Sequence, residues 1–325
     1  MTGRALVVDH VTKRYGARTV VDDLSFEVAP GRVTGFLGPN GSGKSTTMKI
    51  LLGLAAADGG TTRIGDRPYV ELDAPNATVG AALETNAFHP GRSGRDHLRI
   101  LARAAGVPEP RVDESLATAG LADSGERRAG TYSLGMRQRL GLAAALLCDP
   151  PVLVLDEPGN GLDPQGIREL RDLLRHRAGR GDTVFVSSHL LGEVELLVDD
   201  VVVIDHGRLI TAGPLAELRH ETALVRSPHA DRLGVALREM GAVVERAPDA
   251  PDATDAATGL LLVRGVSLGE IGHAAFTAGV ELSELATRSG SLEDLFMQWT
   301  HQQATDAVPG VDAVAVAPEE KEVMA

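Results

Sequence analysis

The chain is poor in several things, and each shortage excludes something. It holds one cysteine, Cys148, in 325 residues, so no intramolecular disulfide can form and the composition fits a reducing cytoplasm. Cys148 comes directly after the apolar stretch Leu140 to Leu147, where a packing thiol is expected rather than a reactive one. Aromatic residues make up only 3% of the chain, with a single tryptophan. No run of about 18 apolar residues occurs and the N-terminus lacks the charged-then-apolar profile of a secretory signal, so nothing is expected to span a membrane. Any work at a membrane then needs a partner that supplies the span. An excess of basic charge is missing too: the net charge is −13, which repels phosphate backbones and argues against nucleic acid as a partner. The ten histidines show no ligand-like spacing, so no structural metal site is expected. What remains, 43% hydrophobic and 24% charged, is ordinary for a soluble globular protein with one large core and a second small domain.

Residues 38 to 46 organise the rest. Gly38-Pro39-Asn40-Gly41-Ser42-Gly43-Lys44-Ser45-Thr46 succeeds the apolar run Val33 to Leu37 and leads into the helix-like Met48 to Leu52. This is Gly-x-x-x-x-Gly-Lys-Ser in its required context, a strand before and a helix after. The glycines let backbone N–H groups approach phosphate oxygens. Lys44 supplies positive charge for the β- and γ-phosphates, and the Ser45 hydroxyl can ligate Mg²⁺. A nucleotide phosphate chain with Mg²⁺ is therefore the expected ligand.

The chain otherwise alternates strand and helix. Ala5 to Val8 and Leu24 to Val28 read as strands joined around Tyr15 to Arg18, and the Tyr15 ring can either stack on a purine base or pack at a hairpin edge. Gly53 to Gly65 reads as turns and short strands, and residues 96 to 106 and 111 to 120 as helices. Ser133 is a plausible N-cap for an alanine- and leucine-rich helix ending near Cys148. Val152 to Leu155 is wholly apolar, as a central parallel strand should be, and runs into Asp156-Glu157. A carboxylate pair at such a strand end lies where open α/β sheets place their ligands: one can hold Mg²⁺, and its neighbour can accept a proton from attacking water. A helix from Gly166 to Arg177 and strands at Thr183 to Ser187 and Val201 to Ile204 complete a mostly parallel sheet.

With these pieces in order, residues 4 to 220 resemble the nucleotide-binding subunit of an ABC transporter. Tyr132-Ser133-Leu134-Gly135-Met136 looks like the family's Leu-Ser-Gly-Gly-Gln signature, and Arg137-Gln138-Arg139 matches the residues that come after that signature. Asn160-Gly161-Leu162-Asp163 corresponds to its D-loop, His189 to its switch histidine, and Tyr15 to the aromatic that stacks on adenine. Two departures stand out. Glu84 replaces the Gln of the γ-phosphate sensor loop; it can still ligate Mg²⁺ but cannot donate a hydrogen bond when ionised. The signature carries Leu134 and Met136 for a Gly and the Gln, while Ser133 and the Gly135 amide remain for the γ-phosphate. Both resemble bacterial drug- and antibiotic-resistance exporters whose ATPase and membrane subunits are separate chains.

The resemblance implies an ABC-type P-loop NTPase fold, with a mostly parallel core sheet, an antiparallel β subdomain and a helical signature subdomain. It implies a head-to-tail pair, here a homodimer, with two ATP molecules at the interface. Lys44, Ser45 and Asp156 of one copy would face Ser133 and Gly135 of the other, with Asp163 at the same seam. Glu157 would act as general base and His189 would contact the γ-phosphate. The partner is a transmembrane permease reached through the groove near Glu84, which places the chain in the cytoplasm on the inner face of the membrane. The rival is an ABC ATPase acting on ribosomes or DNA, disfavoured by the single cassette, the short span between Lys44 and Ser133 and the acidic balance.

Beyond residue 220 the motifs stop. Ala223 to Arg226, a helix from Asp231 to Met240, Val243 to Glu245, Leu260 to Val263, a helix from Leu268 to Thr277 and Val280-Glu281-Leu282 give a β-α-β-β-α-β order. That order suits a small ferredoxin-like α+β domain over 221 to 300, interrupted by a Pro-, Asp- and Ala-rich break at 248 to 258 and closed by a helix from Ser291 to Trp299. A packing module that aids dimerisation is the expected role. Residues 301 to 325, rich in Ala, Val and acids, read as a disordered tail.

Overall fold

Strand β3 (Val33–Leu37) is buried along its whole length, and the sheet is built outward from it. The computed structural model describes residues 3–83, 88–188, 192, 195–218, 221–246, 259–289 and 296. Before β3 come β1 (Leu6–Tyr15) and β2 (Arg18–Val28), and after it α1 (Lys44–Leu51), β4 (Gly59–Ile64), α2 (Pro75–Thr78) and β5 (Val79–Ala82). Next are α3 (Gly94–Ala105), α4 (Pro110–Thr118), α5 (Leu134–Leu146), β6 (Val152–Asp156), α6 (Pro164–Gly179) and β7 (Thr183–Ser188). Then come β8 (Asp200–Asp205), β9 (Arg208–Pro214) and the short α7 (Leu215–Leu218).

Six strands form the main sheet in the order β5-β6-β7-β3-β8-β9. The first five run parallel and β9 closes the edge antiparallel. Residues Val152 to Leu155 of β6 are fully buried, as an all-apolar central strand requires. A second, antiparallel sheet of order β2-β1-β4 packs across this one. The seam carries three of the chain's six phenylalanines: Phe26 of β2 lies 5.3 Å from Phe36 of β3 and 5.7 Å from Phe185 of β7, ring centre to ring centre. These tilted aromatic contacts, with ring planes at 42° and 38°, bury large rings within the usual centroid range of about 4.5–7 Å. Helices α3, α4 and α5 enclose a separate core around Leu98, Leu116 and Leu140. Within it the Tyr132 hydroxyl donates to the Ser124 carbonyl at 2.7 Å, the partner a buried phenol needs.

The strands of the antiparallel sheet are longer than their apolar patterns suggest. β1 runs on through the exposed Asp9, His10 and Arg14, and register shifts after Val8 let it continue past irregular points where His10 and Asp23 take left-handed backbone angles. Cys148, just past α5, is half-buried rather than enclosed, and burial pushes its thiol pKa up, which keeps it protonated and unreactive.

Residues beyond 220 build a four-stranded antiparallel sheet of order β11-β12-β10-β13 from β10 (Glu221–Ser227), β11 (Val243–Arg246), β12 (Gly259–Arg264) and β13 (Glu284–Ser289). Helices α8 (Ala230–Glu239) and α9 (Leu268–Ala278) pack on it through Leu233, Leu237 and Ile271. This is the β-α-β-β-α-β order, with one correction. The last strand is Glu284–Ser289, and Val280-Glu281-Leu282 is not a strand. The Val280 N–H donates to the Ala275 carbonyl at 2.9 Å and its side chain is buried, so this apolar residue closes the end of α9 instead. The break at 248 to 258, the Ser291 to Trp299 helix apart from Phe296, and the 301 to 325 tail lie outside the described residues.

Candidate active site

The chain leaves β3 at Leu37, turns through the glycine-rich loop and enters α1 at Lys44. Gly43 precedes the helix with φ at 109°, and a Cβ there would come 2.7 Å from the Val20 carbonyl oxygen, so only glycine fits. The Thr47 hydroxyl donates to the Gly43 carbonyl at 3.0 Å and ties the first turn to the loop. Asn40 and Gly41 face solvent, whereas Ser42 and Lys44 are buried. The Lys44 ammonium donates to the carbonyls of Gly38 at 2.7 Å and Pro39 at 3.1 Å. Burial pushes the Lys44 pKa down, and the charges of Glu157 and Asp156 oppose that shift. The ammonium and both carboxylates therefore share one electrostatic site. The Ser42 hydroxyl is buried with no hydrogen-bond partner among the described residues. An orphan of this kind inside a phosphate loop suits an anionic ligand.

Topology explains the convergence. β7 lies between β6 and β3, with Ser188 level with Leu37 and Ser187 level with Asp156, so three strand ends open on one edge. Ser187 holds the pair of acids: its hydroxyl donates to the Asp156 carboxylate and accepts the Glu157 N–H at 3.0 Å. Glu157 takes a left-handed backbone with φ at 51°, uncommon for a residue with a Cβ. Its carbonyl accepts from the Gln138 amide at 2.5 Å and from the Asn160 N–H at 3.1 Å. His189 and Glu84 lie outside the described residues.

Ser133 caps α5, its hydroxyl accepting the Met136 N–H at 3.2 Å. Asp163 caps α6 in the same way, through the Gly166 N–H at 2.9 Å. These two caps and Gly135 line a cleft of about 460 Å³ that residues 38 to 46 do not line. Gly135 packs so closely on the neighbouring loop that a Cβ would lie 2.6 Å from the Gly161 carbonyl oxygen. One chain thus offers a phosphate loop with carboxylates on one edge, and an exposed helix N-terminus in a second cleft.

Tyr15 ends β1 with its side chain 54% exposed, so it is not packed at a hairpin edge. The Lys13 ammonium sits 5.2 Å from the ring centre. Tyr15 pairs with Arg18 across the hairpin, and the Arg18 guanidinium comes 3.8 Å from where a Gly41 Cβ would be. The hairpin end that carries Tyr15 thus reaches the phosphate loop through the Arg18 side chain. Arg18, Gln138 and Ser187 are the site neighbours that sequence reasoning missed. Gln138 acts on a backbone carbonyl, Arg18 by approach to a loop, and Ser187 on Asp156 and Glu157 across neighbouring strands, and none of these leaves a spacing pattern to read.

Among the described residues no group of three or more His, Cys, Asp or Glu could hold a metal ion by itself. A magnesium ion here would be of the kind held by one or two protein oxygens together with substrate phosphates, and the Ser45 hydroxyl and Asp156 carboxylate are the donor types for it.

A family model described as ABC transporter matches residues 21–160, and another described only as a domain of unknown function matches residues 221–293. The daunorubicin resistance ATP-binding protein DrrA3 of Streptomyces coeruleorubidus is 36% identical over 92% of this chain and 97% of its own length. The bacitracin transport ATP-binding protein BcrA of Enterococcus faecalis is 40% identical over 65% of this chain and 69% of its own. A solved ATP-binding subunit of an ABC transporter superposes with a TM-score of 0.60 at 28% identity, covering 66% of this chain and 91% of that one.

Proposed function

Because the chain belongs to the ATP-binding proteins of ABC transporters, ATPases that power transport, we propose that it drives export of an antibiotic- or drug-like compound through a separately encoded transmembrane permease. The activities for which its relatives are named support export. No described helix is long and apolar enough to cross a membrane. In this reading the permease supplies the span and the subunit works on the inner face. The observation that carries the reading is the split between two clefts: Lys44, Asp156 and Glu157 share one edge, and Ser133 and Gly135 line another.

Two copies packed head to tail unite the halves. Lys44 and the loop amides of one copy bind the phosphates of ATP, while Tyr15 receives the adenine on its exposed ring. Ser45 and Asp156, with Glu84, would hold Mg²⁺, which neutralises phosphate charge. Ser133 and Gly135 of the second copy close on the γ-phosphate at the positive end of α5. Glu157 takes a proton from the attacking water, and His189 contacts the γ-phosphate. Closure and reopening pass to the permease through the groove near Glu84. Residues 221 to 300 act as a packing module that supports pairing.

Glu157→Gln tests the assignment. The variant keeps ATP affinity, pairs in ATP with Mg²⁺, and loses about 10²- to 10⁴-fold in turnover. Normal turnover would remove Glu157 as the base.

A further inference from the structure

We infer that Gln138 is a positioning residue for Glu157, and that through it the helix carrying Ser133 sets the catalytic carboxylate of the same chain. The inference rests on the reading of Glu157 as general base. Gln138 sits on α5, little more than one turn after the Ser133 cap, and is 9% exposed. A backbone carbonyl can only accept, so the side-chain amide nitrogen faces the Glu157 oxygen, at 2.5 Å. Glu157 needs such support because its left-handed backbone at φ 51° is sparsely populated for a residue with a Cβ. Its N–H is held from β7 by Ser187 and its carbonyl from α5 by Gln138. The carboxylate direction is thereby fixed from two separate elements.

The consequence reaches across a pair of subunits. In the head-to-tail arrangement Ser133 and Glu157 of one chain serve different ATP molecules. Gln138 is a direct hydrogen bond between the elements that carry them. A shift of α5 as Ser133 engages one nucleotide would re-aim Glu157 at the other. The Asn160 N–H also reaches the Glu157 carbonyl, at 3.1 Å, so loss of Gln138 leaves that oxygen with a partner and the fold with little to lose.

The experiment compares Gln138→Met, close in shape but without the donor, and Gln138→Glu, which donates only when protonated. ATPase rate, ATP affinity by fluorescent-nucleotide titration and thermal midpoint are measured on the full-length chain. The inference predicts that both variants bind ATP within about twofold of wild type and lose about 5- to 100-fold in kcat near pH 8, the range for one lost buried hydrogen bond. The rate of Gln138→Glu relative to wild type recovers as pH falls from about 8.5 to about 6, while that of Gln138→Met stays level. A role in folding alone would lower the midpoint and move neither ratio with pH. Wild-type kcat in both variants, loss of ATP affinity in step with kcat, or no pH recovery in Gln138→Glu overturns the inference. Where Gln138→Met fails to fold, the pH profile of Gln138→Glu decides. Glu157→Gln in the same assay separates the two readings. If it turns over normally the base assignment falls and takes this inference with it. If it is inactive while both Gln138 variants match wild type, the positioning role alone falls.

Discussion

Two glycines on one helix make opposite predictions. A Cβ at Gly135 would lie 2.6 Å from the Gly161 carbonyl oxygen and 3.4 Å from its carbon, and backbone cannot swing aside as a flexible side chain can. Gly135→Ala must therefore push the start of α5 off the loop that carries Gly161, an overpacking that typically costs about 1–3 kcal/mol. At Gly141, further along the same helix, the nearest neighbour to a new Cβ is the Ala82 methyl carbon at 3.8 Å, an ordinary contact. Gly141→Ala instead gains about 0.5–1 kcal/mol of helix preference. At about 2–4 °C per kcal/mol for a unit of this size, Gly135→Ala lowers the melting midpoint by about 2–12 °C and Gly141→Ala raises it by about 1–4 °C. Differential scanning calorimetry of the full-length proteins measures both. Steady-state ATPase assays add a second reading: Gly135→Ala also loses turnover because the Ser133 cap moves, and Gly141→Ala keeps it. Equal midpoints for the two variants, or a more stable Gly135→Ala, would refute the close packing of α5 on that loop.

Other changes have equally definite outcomes. Lys44→Ala removes the ammonium at the loop and weakens ATP binding by about 10- to 100-fold in a fluorescent-nucleotide titration, with the fold intact by circular dichroism. Tyr15→Ala loses about 1–3 kcal/mol of stacking and weakens ATP and GTP alike, since every base offers a π face, whereas Tyr15→Phe binds as wild type. Arg177 pairs with Asp182 at 2.7 Å, with both side chains under 6% exposed, and the Arg180 guanidinium lies 3.3 Å from the same carboxylate. Arg177→Leu therefore leaves Asp182 only that half-exposed partner and costs about 1–3 kcal/mol in urea unfolding, below the roughly 3–5 kcal/mol of a buried charge with no partner.

The parts of the site that were legible in the sequence are contiguous. Residues 38 to 46 announce themselves because a phosphate loop is one unbroken stretch between a strand and a helix. Asp156-Glu157 stood out because β6 is apolar on both faces and then abruptly acidic. The tie between Gln138 and Glu157 and the approach of Gly135 to Gly161 were hidden, since the partner in each is a backbone carbonyl that any residue type supplies. β1 reads short because its exposed charged residues break the alternation that its buried half shows. Val280-Glu281-Leu282 reads as a strand because a buried residue closing a helix end has the same composition as one starting a strand. The β-α-β-β-α-β order was nonetheless recoverable, because each helix there keeps one clean apolar face.

If this ATPase works on a membrane partner, the two should come out of the cell together. Tagged Glu157→Gln protein, held with ATP and Mg²⁺, is captured from detergent-solubilised native cells and the retained chains are identified with their ratio. A polytopic membrane protein recovered together with a pair of ATPase subunits is the expected result. Recovery of ribosomes or DNA-bound proteins in its place would contradict the transport reading and leave only the nucleotide chemistry standing.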